Sequence, residues 1–157
     1  MRIGIGYDIH PLEPGRPLVL GGVRIEHAAG LAGHSDADVL AHAIIDALLG
    51  AAALGDIGHH FPADDARWSD ADSMELLRQA VKLVAAARCH VVNVDATVVA
   101  EAPNLAPHVA AMRGALAEAL GIAVSAVSVK ATTADRLGAL GRSEGIAALA
   151  IALLDST

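Results

Sequence analysis

A chain of 157 residues with a formal net charge of −7 lacks the basic face that nucleic-acid binding requires, and fits one domain spanning residues 1–157. Hydrophobic residues make up 54%, yet the aromatic ones are only Tyr7, Phe61 and Trp68, so Ala, Val, Leu and Ile must build the core. Charged residues or glycines interrupt every long apolar run, which excludes a transmembrane span, and the start carries no apolar segment of secretory type. With Cys89 the single cysteine, no internal disulfide is possible and a reducing, cytoplasmic setting is expected.

Isoleucines alternating with glycines mark residues 2–7 as a strand. Residues 8–17 hold three prolines and a glycine and read as a loop. Gly21-Gly22 between two short apolar triplets is a hairpin signal. A helix is expected over 36–54, with Ser35 as its N-cap, Asp38 as a capping-box variant, and an apolar stripe of Ala41, Ile44, Ile45, Leu48, Leu49 and Ala52. The polar, Gly- and Pro-broken stretch 56–72 reads as a loop or lid. A second helix is expected over 73–89, an alternating strand over 92–98, a loop over 101–107, a third helix over 108–120 ended by Gly121, and a short strand over 127–130. Residues 132–145 form a Gly-rich charged loop. For 146–154, alanines favour helix while the length suits a buried strand. This order makes a single α/β sandwich, with helices on a mixed sheet, the natural class.

Asp8 and His10 stand two apart beside the first strand, a spacing that sends both side chains to one side, where a zinc-type ion accepts carboxylate and imidazole alike. Alone, such a tripeptide is more often solvated surface. His42 adds weight, because it sits off the apolar stripe of the first helix with Asp38 and Asp46 one turn to either side. Asp46 is a candidate to orient its ring, whereas Asp38 reads better as solvated surface. Gly33-His34-Ser35 enters that helix where free N–H groups attract phosphate. The tandem His59 and His60 are poor metal candidates, since adjacent loop residues rarely aim at one point. Lys130 to Asp135 offer hydroxyls and a carboxylate beyond a strand end, and Arg142 with Glu144 reads as a surface ion pair.

Together, these segments resemble one family. Gly6-Tyr7-Asp8-Ile9-His10 is similar to its G-[FY]-D-x-H motif, and His34-Ser35-Asp36-Ala37-Asp38, followed by His42, to its H-S-D-G/A-D signature. Leu54 to Gly58, Phe61-Pro62, Asp72-Ser73, Ala102-Pro103, Val129 to Thr133 and Gly141 to Ile146 extend the likeness to about residue 155. The chain is thereby identified as a member of the 2-C-methyl-D-erythritol 2,4-cyclodiphosphate synthase family. The resemblance implies a lyase of the non-mevalonate isoprenoid pathway, with a ferredoxin-like α/β subunit. It also implies a homotrimer with active sites between subunits. The substrate would be 4-diphosphocytidyl-2-C-methyl-D-erythritol 2-phosphate, cyclised with release of CMP. It implies Zn²⁺ on Asp8, His10 and His42, and a second ion, Mg²⁺ or Mn²⁺, on the substrate diphosphate. His34 and Thr133 would be the catalytic pair at the β-phosphate. Asp8, His10, His34, Ser35, Asp56, Ile57, Gly58, Phe61 and Asp65 would meet the erythritol phosphate side. Ala100, Pro103, Asn104, Leu105, Ala106, Ala131, Thr132, Thr133 and Asp135 would hold the cytidine end, and Arg142 would face the trimer axis. The family also assigns 146–154 as a strand.

Four positions depart from the family pattern. Asn104 replaces a common Lys near the nucleotide, Asp135 a Glu reaching the second metal, Ala63 an Asp, and Ala139 an aromatic residue. The last would widen an axial cavity in which Arg142 holds isoprenoid diphosphates, so weak binding there is expected. Two alternatives share the metal ligands or the nucleotide loops: a zinc-dependent nucleoside diphosphate hydrolase, and a non-catalytic trimer that binds nucleotides or isoprenoid phosphates.

Overall fold

Residues 1–68 and 71–156 are described by the computed structural model; positions 69 and 70 of the expected polar loop, and the final Thr157, lie outside the described residues. The first strand, β1 (Arg2–Pro14), runs well past the expected end at residue 7. It changes partner on the way: Arg2 to Pro11 pair with β7 (Gly145–Ser156), then Leu12 to Pro14 pair with β4 (Ala29–Leu31). Pro11 and Pro14 are thus accommodated in strand around the changeover, at Leu12 between them the N–H still reaches Glu144 O at 3.0 Å, and only residues 15–17, with Pro17, remain a turn. The expected hairpin is present as β2 (Leu18–Leu20) and β3 (Val23–Ile25), turning on Gly21 and Gly22 with φ of 56° and 73°.

One five-stranded mixed sheet, in the order β4-β1-β7-β5-β6, carries the fold. Its β5 (Cys89–Val99) lies antiparallel to β7 and parallel to β6 (Val127–Thr132). The alanine-rich C-terminal run is strand, because it is central, bonded on one side to β1 and on the other to β5. Its Ala148, Ala150 and Ala152 are buried where small side chains let a helix lie close.

Helices α1 (Val39–Ala51), α3 (Ser73–Ala86) and α4 (Val109–Leu120) cover one face, with the short α2 (Ile57–His60) between the first two and α5 (Gly138–Gly141) before β7. Eleven residues of α1 are buried, not one stripe, because the sheet lies beneath it and α3 and the β2–β3 hairpin lie against it. Leu40, Ile44, Ile45, Leu48 and Leu49 are fully enclosed, each contributing about 1.5–3 kcal/mol by leaving water. Among the described residues the opposite sheet face carries no helix. Ile3, Ile5, Tyr7 and Ile9 are 72%, 69%, 53% and 45% exposed there, next to Leu149 and Ile151. No helix among the described residues is long and apolar enough to cross a membrane.

Candidate metal centre

The pleat of β1 sends Gly4, Gly6, Asp8 and His10 to the helix side and the isoleucines to the other. At Gly6 an added Cβ would come within 1.8 Å of Ala43 O, and at Gly4 within 2.0 Å of Ala47 O. The backbone of α1 therefore rests directly on the strand. One residue before Ala43, His42 then reaches the side chains that continue the same face.

The three candidate ligands meet at one point. Asp8 Oδ2 lies 2.9 Å from His10 Nε2 and 3.0 Å from His42 Nδ1, and the two nitrogens are 3.2 Å apart. In a tetrahedral zinc site with bonds of 2.0–2.2 Å, ligand atoms stand roughly 3.3 Å apart, so the triangle fits with a small expansion. Among the described residues this is the only such cluster of three. His10 Nδ1 donates to Ala32 O at 2.9 Å, so in the neutral ring the lone pair is on Nε2 and faces the centre. Burial pushes the Asp8 carboxyl up, but hydrogen bonding with the His10 and His42 rings, through a proton held between ring and carboxylate, outweighs it and holds it far below the ordinary carboxylate range. The bond to Asp8 in turn raises His10 above its ordinary value, against burial. Without a cation or a proton at the centre, these lone pairs would repel one another.

Several expectations need correction. Asp38 is completely buried, not solvated: it caps α1 through Ala41 N at 3.1 Å and accepts from Gly21 N at 2.9 Å and Gly22 N at 2.8 Å. Burial raises its carboxyl against those bonds. It ties the hairpin to the helix, and Ser35 is not the N-cap. Asp46 does not orient His42; it accepts from Ile57 N at 2.8 Å and anchors the start of α2. The ring of His42 is held instead by hydroxyls, with Nε2 2.9 Å from Ser73 Oγ and 3.1 Å from Ser35 Oγ. Ser73 opens α3, 31 residues away in sequence, and no spacing rule pointed to it. As expected, His59 and His60 stay out of the centre, and His60 Nε2 donates to Leu54 O.

A cavity of about 260 Å³ opens over the triad. His34, Ser35, Ile57, Gly58 and Phe61 line it, and Gly33, Ala63, Trp68 and Leu76 complete the wall. Phe61 packs edge-on to Trp68 at 5.1 Å. Asp56 is absent from the lining and caps α2 through His59 N, while Asp65 is engaged by the Arg67 guanidinium.

A second recess, of about 270 Å³, lies at the β5 and β6 strand ends. Ala100, Pro103, Asn104 and Leu105 line one side, and Ala131, Thr132 and Thr133 the other, with Glu101 between. Glu101 accepts from Ala134 N at 2.8 Å and so fixes the loop. Ala106 and Asp135 lie just outside it; Asp135 donates its N–H to Thr133 Oγ1. Arg142 borders neither cavity and pairs with Glu144. Within one chain, then, His34 and Thr133 belong to different cavities.

The profile described as the YgbB family matches residues 1–155. The 2-C-methyl-D-erythritol 2,4-cyclodiphosphate synthase of Thermosynechococcus vestitus is 60% identical over 156 residues, covering 99% of this chain and 97% of that one. A solved 2-C-methyl-D-erythritol 2,4-cyclodiphosphate synthase in a CDP-bound form superposes with a TM-score of 0.91 at 37% identity, over 98% of this chain and 100% of that one. The bifunctional IspDF of Campylobacter jejuni gives a TM-score of 0.96 at 43% identity over 99% of this chain, which spans 42% of that protein. With this match running almost the full length, and with the Asp8, His10 and His42 side chains converging as described, the chain belongs to the YgbB family of cyclodiphosphate synthases.

Proposed function

We infer that the chain converts 4-diphosphocytidyl-2-C-methyl-D-erythritol 2-phosphate to 2-C-methyl-D-erythritol 2,4-cyclodiphosphate with release of CMP. The observation that carries this reading is the convergence of Asp8 Oδ2, His10 Nε2 and His42 Nδ1 to within 3.2 Å in a cavity with an apolar wall. An oxygen of the 2-phosphate forms a bond to the β-phosphorus, the bond from that phosphorus to the oxygen of the α-phosphate breaks, and CMP leaves with the electron pair. Nucleophile and electrophile share one molecule, so a site that holds it folded can contribute roughly 7–11 kcal/mol. No protein nucleophile is required.

Zn²⁺ held by Asp8, His10 and His42 would supply the Lewis-acid charge that offsets phosphate–phosphate repulsion. Phe61, Ile57 and Leu76 exclude water from one side of the bent substrate. His34, exposed at the mouth of the same cavity, donates to the β-phosphate. Ser35 lines that wall while its hydroxyl is turned toward His42. The cytidine end occupies the recess of Ala100 to Leu105, a reading favoured by the CDP-bound relative. Asp135, a methylene shorter than the Glu common in the family, would be the side chain to hold a second Mg²⁺ or Mn²⁺ ion, which would add positive charge at the diphosphate.

Because one chain separates His34 from Thr133, the reading requires a neighbouring copy to bring them together. A homotrimer assembled on the bare sheet face of Ile3, Ile5 and Tyr7 satisfies that need and covers apolar surface that a monomer would leave wet. The protein works in the cytoplasm.

CMP release from the diphosphocytidyl substrate, followed with and without a chelator, tests this. Turnover that stops on chelation and returns with zinc supports the reading; a product carrying a water oxygen would make the chain a hydrolase instead. His34→Ala and Thr133→Ala are each expected to lower kcat by about 10²–10³-fold.

A further inference from the structure

The hydroxyl contacts around His42 Nε2 are all satisfied when that nitrogen carries a proton, and the reason starts at a residue outside the ligand set. Asp36 is a carboxylate acceptor pinned by two backbone donors, Asp38 N at 3.2 Å and Ser73 N at 3.2 Å. Its Oδ1 also accepts from the Ser73 hydroxyl. A serine hydroxyl has one proton. Once that proton points at Asp36, Ser73 Oγ has only lone pairs left for His42 Nε2 at 2.9 Å, so the imidazole must be the donor. Ser35 Oγ, 3.1 Å from the same nitrogen, is compatible with this. It accepts from Ala37 N at 3.1 Å, and with its own proton directed at Ser73 Oγ, 3.3 Å away, it presents a lone pair to Nε2. The reverse would set a Ser73 lone pair against a Nε2 lone pair. The groups around the ring are enclosed, with Ser73 0%, Ser35 7% and His42 8% exposed, and Asp36 is half-buried at the outer end. Water therefore has little access to scramble the directions.

We propose that Asp36 is a positioning residue that, through the Ser73 hydroxyl, locks the proton of His42 on Nε2 and so keeps the Nδ1 lone pair turned toward Asp8 and His10. The chain of bonds runs Asp36, Ser73, His42, and couples the first turn of α3 to the ligand ring. The metal side of this inference rests on the reading of the centre given above, whereas the tautomer side does not.

The test has two arms. In the metal-free wild-type protein, ¹⁵N spectra of the histidines read the tautomer directly. Nε2 of His42 is expected at a pyrrole-type shift and Nδ1 at a pyridine-type shift. In Asp36→Asn an amide can face Ser73 as a donor, releasing the hydroxyl proton toward Nε2. That variant is expected to move both ¹⁵N shifts toward the opposite tautomer. Zinc dissociation constants by chelator competition then read the consequence: a loss of about 10–100-fold for Asp36→Asn and Ser73→Ala, with affinity restored in Ser73→Thr. Unchanged ¹⁵N shifts and zinc affinity in Asp36→Asn would overturn the proposal. A wild-type protein that fails to bind zinc while showing the expected tautomer would instead defeat the metal reading and leave the relay standing.

Discussion

Gly6 touches neither ligand nor cavity, yet its replacement should dismantle the centre. An alanine Cβ at this position would sit 1.8 Å from Ala43 O and 2.7 Å from Ala47 N, both backbone atoms of α1. Ordinary contact begins at about 3.4 Å, so the helix and strand must part by about 1.6 Å, because backbone cannot rotate aside. Metal–ligand distances tolerate only about 0.2 Å. His42 lies one residue from Ala43 and travels with it. Overpacking of this kind costs at least about 1–3 kcal/mol, or on the order of 3–10 °C in melting temperature for a chain of this size. The control is Gly114→Ala in α4, where an added Cβ meets nothing within 4 Å and a gain of about 0.5–1 kcal/mol is expected. Differential scanning calorimetry and zinc competition on both variants give the answer. A Gly6→Ala protein that melts and binds zinc as the wild type does would refute the close-approach argument.

Asp38→Ala strands three backbone donors, of Gly21, Gly22 and Ala41, and should cost about 3 kcal/mol or more in urea unfolding, with Asp38→Asn milder; equal stability of the two variants would contradict this. With metal absent, the lowered Asp8 contributes stability above its ordinary 3.8 and loses it as pH falls. The raised His10 contributes below its ordinary 6.5 and loses it as pH rises through the raised value. Melting scans should therefore show the metal-free protein weakening at alkaline pH while the stabilisation by added zinc grows, since fewer protons compete for the ligands. A zinc increment that stays flat with pH would argue against these ligands. Farnesyl diphosphate should leave the melting temperature unchanged, given Ala139 near Arg142; a strong rise lost in Arg142→Ala would reverse that expectation.

Local signals were legible where local chemistry decides the outcome. Gly21-Gly22 specified a hairpin, and the two-residue spacing of Asp8 and His10 specified a shared face. His42 stood out because an imidazole broke a greasy helix. What could not be read were partners chosen by tertiary contact. Asp38 looked solvated because nothing in a helical wheel announces a hairpin packed on top of it. Asp46 and Ser73 exchanged roles for the same reason: one turn of helix suggested Asp46, whereas α3 delivers Ser73 to His42 from another element. The prolines of β1 obscured a strand that changes partner midway, and the alanines of β7 became strand only because two neighbours bond to them.

Anomalous diffraction at the zinc absorption edge, on crystals grown without chelator, asks whether a cation is held where these side chains meet. One peak per chain is expected, 2.0–2.2 Å from Asp8 Oδ2, His10 Nε2 and His42 Nδ1. A zinc-replete protein with no density there, or with its ion on His59 and His60, would contradict the account at its root.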